Sequence, residues 1–349
     1  MVSSPSDLPQ LADVLPPIAP PLAEVGFRAM GSDFHVVVAG GDADTLLGHA
    51  RERVEALEQA WSRFRPDSDL SRLNAAEGAW TAVEPETASL LGIAVHAYDV
   101  TGGLFDPRVH DDLVHAGYDR SFELLGTGPH EAVPQVAVGQ HDTEADAHSR
   151  ATREPLDVEV DDGAVRLPAG CRIDLGGIGK GRTADLLAAE LVGLGADGAC
   201  VNAGGDVRAR GWSSDGLWAV EVEDPFAPEG PGSVVGVVDG AVATSSVLKR
   251  SWADATGRRA HHLIDPRTGA PADTGVASVT VVASQTLWAE VFAKAVVVAG
   301  ADEGLALLAR HALDARITLS SGEVLTTHDY ERFSPWTTSS GGTSPVRAG

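Results

Sequence analysis

Apolar residues recur with the period of an α-helix in four long segments of the chain. In the first segment, Leu46, Leu47, Val54 and Leu57 fall on or near one face, as an amphipathic helix requires. The second segment ends at a glycine pair, which is a common way for a helix to end. The pattern therefore predicts helices within residues 43–64, 86–103, 183–196 and 286–310.

Short apolar runs bounded by turn-forming residues predict strands between these helices. The Asp162-Gly163 dipeptide joins two such runs and indicates a hairpin. Around Gly31 the pattern fits either two paired strands or one strand with a kink. Strands are expected within residues 27–40, 158–170, 198–211, 217–225, 232–246, 277–284 and 315–327.

The order of these elements lacks a regular βαβ alternation. It favours an α+β fold with a mostly antiparallel mixed sheet and flanking helices over a doubly wound one. Residues 1–22 are rich in Pro and Ser and predict a flexible arm, and residues 333–349 predict a flexible tail. Residues 126–155 contain few hydrophobic side chains and predict a surface insertion. One folded domain over residues 23–332 is expected.

Charge and hydropathy disfavour several functions. The formal net charge is −24, so nucleic-acid binding, which needs a basic face to displace counterions, is not expected. Binding to an anionic membrane surface is disfavoured for the same reason. The chain shows neither a membrane-spanning apolar run nor a basic leader, which predicts a cytoplasmic protein without membrane insertion. Its two cysteines indicate neither a disulfide framework nor a zinc cluster.

Lysine is rare in this chain. Of 26 basic residues, only Lys180, Lys249 and Lys294 are lysines. An ammonium is a compact point charge and a guanidinium is a planar fork, so the two are not interchangeable. These positions are candidates for a specific role, although chance explains any one of them equally well.

Residues 173–185, IDLGGIGKGRTAD, form the strongest single motif. We expect a strand that ends at Asp174, a glycine turn, and a helix that starts near Thr183. Glycines let backbone amides approach a ligand, a helix N-terminus favours anions, and Lys180 would add a charge for a phosphate. The alternative is a tight turn with a solvated lysine.

The stretch HHLIDPRTG, residues 261–269, carries an imidazole, a carboxylate, a cation and a hydroxyl. His262 abuts the turn and is the better candidate for a general base. Asp265 and Thr268 are expected to hold the turn through hydrogen bonds to the backbone. A histidine in a loop is more often structural, and that alternative stays open.

Glu290 and Lys294 are four residues apart and therefore share one helix face. An exposed pair of this kind would contribute only about 0.3–0.5 kcal/mol. The predicted helix is apolar on nearly all sides, however, and burying both charges is costly unless a ligand or partner uses them.

Eight segments, in register from about residue 25 to 325, together resemble the ApbE family, the FAD:protein FMN transferases. They are AMGSDFHV, WSRFRPDSDLSRLN, GGLFDPRV, IDLGGIGKGRTAD, VNAGGDVRARG, VATSS, HHLIDPRTG and WAEVFAKAV. The resemblance implies an ApbE-like, T-fold-related architecture. It also implies an enzyme that binds FAD with a divalent metal, usually magnesium, at the pyrophosphate. Such an enzyme transfers FMN to a Ser or Thr hydroxyl of a target flavoprotein and releases AMP.

The resemblance further implies roles for individual residues. His262 would activate the acceptor hydroxyl. Contacts with FAD are implied for Met30, Phe64, Leu104, Phe105, Asp106, Asp174, Lys180, His262 and Leu263. Metal ligation is implied for the Gly177 carbonyl and for Glu290.

Lys294 departs from the family pattern, which has a threonine at that position and an aspartate at the position of Glu290. A protonated lysine has no acceptor for a metal. Our hypothesis is that its ammonium stands where the metal would and faces the pyrophosphate, which makes Lys294 a catalytic candidate. Two other functions stay open: a non-transferring FAD carrier or regulator, and a metal-dependent FAD pyrophosphatase that gives FMN and AMP.

Overall fold

A computed structural model describes residues 20–125, 156–213, 216–254, 257–333 and 346–348. The expected surface insertion at 126–155 lies outside these residues. Most of the expected arm and tail lies outside them as well. The tail nevertheless ends in a described strand at 346–348, which differs from a wholly loose segment. This strand pairs in parallel with residues 220–222.

Eighteen strands are present in the described part of the chain. They are β1 (Leu22–Ala29), β2 (Ser32–Ala39), β3 (Thr81–Ala82), β4 (Glu159–Asp161), β5 (Ala164–Arg166), β6 (Gly198–Ala203), β7 (Asp206–Gly211), β8 (Trp218–Val222), β9 (Ser233–Val237), β10 (Gly240–Ser246), β11 (Ser251–Ala253), β12 (Arg259–His261), β13 (Ile264–Asp265), β14 (Ala270–Pro271), β15 (Val276–Ala283), β16 (Asp314–Leu319), β17 (Val324–Thr326) and β18 (Val346–Ala348). Eight of them form the main sheet in the order β1-β2-β6-β7-β10-β15-β16-β17. Every neighbouring pair in it is antiparallel, which confirms the α+β prediction.

Seven α-helices accompany the sheet in the described residues. They are α1 (Ala43–Trp61), α2 (Asp69–Asn74), α3 (Pro85–Val100), α4 (His110–His115), α5 (Gly179–Gly193), α6 (Thr286–Ala299) and α7 (Ala301–Arg310). Helices α1 and α5 pack with the β1-β2-β6 side of the sheet, and α6 and α7 with the β15-β16 side. The opposite face of β6 and β7 is covered by β8 and β9. The sheet is therefore buried by helices on one face and partly by strands on the other.

The first two strands form a hairpin rather than one kinked strand. Its turn is Met30-Gly31, with φ of 50° and 62°. Positive φ at both central residues is typical of two-residue hairpins, because that backbone twist matches the twist of the strands. The turn brings Met30 to the edge of the cleft described below.

The motif at 173–185 differs from its sequence-based prediction. No strand ends at Asp174, and α5 starts at Gly179 rather than near Thr183. Lys180 therefore belongs to the first turn of a helix. The strand prediction failed because the backbone here bonds to other partners: the Ile173 N–H and carbonyl bond to the Asn74 side chain (2.9 and 2.8 Å), and the Asp174 N–H donates to the Pro107 carbonyl (2.7 Å).

Helices α5 and α6 meet at a very close crossing. A Cβ on Gly181 would lie 2.8 Å from both the Cα and the N of Leu287 and 2.9 Å from Glu290 Oε2. Asp185 on α5 also accepts hydrogen bonds from the backbone N–H groups of Thr286 (2.8 Å) and Leu287 (3.0 Å). These bonds satisfy the first free amides of α6, as an N-cap would. The crossing fixes the position of Glu290 against α5.

Gly181→Ala should destabilise the protein, because the methyl group would collide with backbone atoms of α6. We expect a loss of about 1–3 kcal/mol in the free energy of unfolding, as for overpacking elsewhere. Gly193→Ala is the matched control, since it lies on the same helix and a Cβ added there would meet no atom within 4 Å. Urea denaturation of both variants measures the effect. Equal stability of the two variants would contradict this account of the crossing.

Candidate functional site

A single cleft of about 440 Å³ contains nearly all of the predicted site residues. Its walls come from the β1–β2 turn, the segment after α1, the loop after α3, the start of α5 and the loop after β12. The predicted residues that line it are Met30, Phe64, Leu104, Phe105, Asp106, Asp174, Gly177, Lys180, His262, Leu263 and Lys294. Glu290 is the exception, because it is fully buried and lies behind the wall.

One end of the cleft is aromatic. The Phe64 and Tyr118 ring centroids are 5.9 Å apart, and Phe122 packs edge-on against Tyr118 at 6.3 Å. The Arg63 guanidinium lies over both the Phe64 ring (4.4 Å) and the Tyr118 ring (4.5 Å). Flat faces of this kind suit a planar aromatic ligand.

Asp174 and Asp106, which also line the cleft, are each fixed by an arginine. Asp174 Oδ2 pairs with Arg63 Nε at 2.8 Å, and its Oδ1 accepts the Gly176 N–H at 2.6 Å. Asp106 accepts from Arg108 through its backbone N–H and its guanidinium, each at 2.9 Å. Both aspartates therefore shape the turns around the cleft, and their charges are compensated.

The other end of the cleft is built on a cluster of four charges, two buried carboxylates and two partly buried lysines. Glu290 Oε1 accepts from Lys180 Nζ (2.7 Å) and from Lys294 Nζ (3.0 Å), and its Oε2 accepts the Gly181 N–H (2.8 Å). Lys180 also contacts Asp206 in a short ion pair. The two lysines line the cleft, and the two carboxylates lie behind them.

The pKa values in this cluster follow from burial and from the neighbouring charges. Burial by itself raises the pKa of Glu290, but the ammonium groups of Lys180 and Lys294 outweigh it and lower that pKa to about 2. Burial lowers the pKa of Lys180, but Asp206 and Glu290 outweigh it and raise the value. Burial raises the pKa of Asp206, and burial lowers the pKa of Lys294. Glu290 is thus ionised, and it binds both ammonium groups of the cluster.

The two adjacent histidines of residues 261–269 have different environments. His261 Nε2 bonds to the Ala272 carbonyl at 3.1 Å, which ties it to the backbone. His262 lines the cleft, and its Nδ1 is buried with no hydrogen-bond partner among the described residues. Burial, and then the charges of Arg250 and Lys294, hold the pKa of His262 well below its usual value. Its imidazole is therefore neutral near pH 7 and has a lone pair to accept a proton.

The rest of this loop serves to hold its shape. Asp265 Oδ1 accepts the Arg267 N–H at 2.9 Å, and the Arg267 guanidinium pairs with the same carboxylate. Thr268 Oγ1 contacts the Asp265 carbonyl at 3.4 Å and accepts the Ala270 N–H at 3.3 Å. The turn-holding role predicted for Asp265 and Thr268 matches this geometry.

Lys180 and Lys294 are balanced by Glu290 and Asp206, so among the described residues the excess positive charge at the cleft comes from Arg250. The carboxylates that line it, Glu58, Asp106, Glu123 and Asp174, are each paired with an arginine. Arg250, by contrast, donates to the neutral oxygens of Gly31 and Ser32. A cleft with apolar walls and an excess of cations concentrates anionic ligands.

Sequence reasoning missed four residues of this site: Arg63, Tyr118, Asp206 and Arg250. Asp206 lies in the segment VNAGGDVRARG, where its position after two glycines was the available signal. Arg63 lies in the segment WSRFRPDSDLSRLN, which was a signal for it, whereas Arg250 is one of 23 arginines and lies in none of the eight segments.

Together, the fold and the site define an α+β protein with a cleft that suits a ligand carrying a flat aromatic ring and phosphate. Comparisons with known proteins agree with this class. The ApbE family model matches residues 30–317, and the chain therefore belongs to the ApbE family.

Relatives and solved structures are similar over most of the chain. A FAD:protein FMN transferase from Treponema pallidum is 32% identical, over 72% of this chain and 70% of its own length. One from Vibrio cholerae is 28% identical, over 84% of this chain and 85% of its own length. The crystal structure of the ApbE protein from Thermotoga maritima superposes with a TM-score of 0.77 at 27% identity, covering 90% of this chain and all of that one. The structure of the flavin transferase ApbE from Vibrio cholerae gives a TM-score of 0.71 at 25% identity, covering 90% of this chain and all of that one.

In the described residues, none of the helices is both long and apolar enough to cross a bilayer. The cytoplasmic location stays a prediction from the sequence.

Proposed function

We propose that this chain transfers FMN from FAD to a Ser or Thr hydroxyl of a target flavoprotein and releases AMP. The observation that carries the proposal is the meeting of Lys180, His262 and Lys294, from three distant segments, next to an aromatic end in one cleft. The names of the relatives support the same activity.

Substrate binding follows from the two ends of the cleft. Phe64 and Tyr118 offer faces for a ring of FAD, and Met30, Leu104 and Leu263 complete an apolar lining. The pyrophosphate goes to the cationic end, beside the Gly177 turn and the start of α5. The Gly179 and Gly181 N–H groups at the start of α5 already bond to the Leu175 carbonyl and to Glu290 Oε2, so the positive charge at this end comes chiefly from the two lysines.

His262 acts as the general base in this proposal. A hydroxyl is a weak nucleophile and needs an adjacent group to take its proton. The hydroxyl oxygen forms a bond to the phosphorus on the FMN side, and the bond from that phosphorus to the bridging oxygen breaks. AMP leaves with the bonding electron pair, and the proton passes to the lone-pair nitrogen of the His262 ring and then to solvent.

Magnesium, which the family resemblance implies, does not fit the side chains at this position. Mg²⁺ requires oxygen ligands at about 2.0–2.1 Å in octahedral geometry. Both oxygens of Glu290 are occupied, Lys294 offers no acceptor, and no group of three or more metal-binding side chains was found in the part of the chain that the structure describes. At an effective dielectric constant of about 20, a dication 4 Å from one ammonium is repelled by about 8 kcal/mol. We therefore assign no step to a metal.

The function is tested by incubating the protein with FAD and a library of Ser- and Thr-containing peptides. Covalent FMN on a peptide, detected by mass spectrometry with an equal amount of AMP, is the expected result. Release of free FMN and AMP without peptide modification would identify a pyrophosphatase. Retention of FAD with no AMP would identify a carrier. Either of these outcomes would refute the transferase proposal.

A further inference from the structure

We propose that Lys180 and Lys294, held by Glu290 and Asp206, form a built-in cationic site for the pyrophosphate of FAD, so that transfer by this chain requires no divalent metal. This inference rests on the proposed function and specifies how its site neutralises charge.

The orientation of the four charges supports the inference. The Glu290 side chain is 0% exposed and that of Asp206 is 4% exposed, whereas those of Lys180 and Lys294 are 12% and 14% exposed. The carboxylates thus hold the ammonium groups from behind, and the positive side of the cluster faces the cleft. An ion pair that served only to stabilise the fold would not require the ammonium groups to face the cleft.

The ammonium groups are held in place before any ligand binds. Glu290 accepts from both of them and is itself fixed by the Gly181 N–H at the α5–α6 crossing. The stem of Lys294 crosses the glycine turn, since a Cβ on Gly177 would lie 3.5 Å from Lys294 Cδ. Charges positioned in advance stabilise a transition state without a cost of reorganisation.

Lysine usage points to the same site. Two of the three lysines of the chain lie in this cluster, and the third, Lys249, is a surface residue paired with Glu223 at 2.8 Å. An ammonium has three donors in a compact group, so one Lys is able to hold a carboxylate and a phosphate oxygen together. Arg250 adds a further cation to the same wall of the cleft.

The role in the reaction is the stabilisation of charge that develops on the phosphate oxygens. As the acceptor oxygen bonds to phosphorus and the bond to the AMP oxygen breaks, negative charge grows on the leaving oxygen. The two ammonium groups would meet that charge. No metal, oxidant or further reactant enters the balance of the step.

The test compares wild type, Lys294→Met and the matched control Lys249→Met in the peptide transfer assay, with EDTA or with Mg²⁺. We expect the wild-type rate in EDTA to stay within about twofold of that in Mg²⁺, since no step is assigned to the metal. Lys294→Met should lower the rate about 100-fold, as for the loss of one transition-state donor. Lys249→Met should have the wild-type rate. Loss of wild-type transfer in EDTA with recovery in Mg²⁺ would overturn the inference, even if Lys294→Met does not fold.

Ligand binding separates this inference from the proposed function. In EDTA, Lys294→Met should bind FAD about tenfold more weakly than wild type, which corresponds to one charged hydrogen bond. Riboflavin, which has no phosphate, should bind both proteins equally. These titrations by flavin fluorescence decide the inference even if no peptide is modified. Unchanged FAD affinity in a folded Lys294→Met protein would refute it.

Discussion

His262→Ala should abolish most FMN transfer while leaving FAD binding largely intact. General-base catalysis contributes about 10²–10⁴-fold, and we expect kcat to fall within that range. The effect should appear in kcat rather than in KM for FAD, because the ring acts on the acceptor proton in the transition state. Transfer to a Thr-containing peptide, followed by mass spectrometry, measures both constants.

The matched control for this variant is His261→Asn, which alters the adjacent histidine. The His261 ring bonds to the Ala272 carbonyl and does not line the cleft. Its loss should lower stability more than kcat. Equal losses of kcat in the two variants would refute the assignment of the base to His262.

The pH dependence of transfer supplies a second test of the same residue. The pKa of His262 is lowered well below its usual value of 6.5 by burial and by neighbouring cations, so the base form is populated at lower pH than for a free histidine. The rate should therefore rise with pH only below the usual histidine pKa and then stay flat through neutral pH. The acidic limb should be missing in His262→Ala. A wild-type limb centred above the usual histidine value would contradict the buried, neutral ring.

Glu290→Gln should cost the protein a large part of its stability. Removing one charge from a buried ionic cluster is destabilising by about 3–5 kcal/mol, because the partners stay buried without compensation. Here Glu290 holds both lysines, whereas Asp206 contacts only Lys180 directly. Urea denaturation at neutral pH measures the loss in the free energy of unfolding.

The pH range of this effect follows from the direction of the pKa shift. The pKa of Glu290 is lowered from 4.5 to about 2 in the folded protein. A lowered value means that the ionised group stabilises the folded state above the unfolded pKa, and that this stabilisation is lost as the pH falls through the folded pKa. The stability difference between wild type and Glu290→Gln should therefore be full above about pH 5 and should shrink toward pH 2.

Asp206→Asn is the matched control, because Asp206 contacts the same lysine and its pKa is raised by burial. Burial in the folded protein disfavours the ionised form of Asp206. Replacing it with a neutral amide should therefore lower the free energy of unfolding by less than Glu290→Gln does. A greater loss of stability in Asp206→Asn than in Glu290→Gln would refute the expectation that Glu290 contributes more to stability. So would a loss in Glu290→Gln that does not shrink in acid.

The sequence determined the elements with a strong local pattern. The periodic apolar residues of α1 and α6 and the Asp162-Gly163 turn were predicted correctly because each depends on residues close in the chain. The order of elements also indicated the α+β class, and eight weak motifs in register indicated the family. His262 was preferred over His261 from its place beside the turn, and the structure puts only His262 in the cleft.

The tertiary structure decided which charges meet and which way they face. Lys180 and Glu290 are 110 residues apart, and no local pattern relates them. Their contact depends on the α5–α6 crossing, which the missing Cβ of Gly181 permits and the Asp185 side chain fixes. The same crossing buries Glu290 behind the wall, whereas the family resemblance had implied a metal ligand at this position. Periodicity specifies which face of a helix is buried, but the partner of a buried charge is fixed only when two helices pack together.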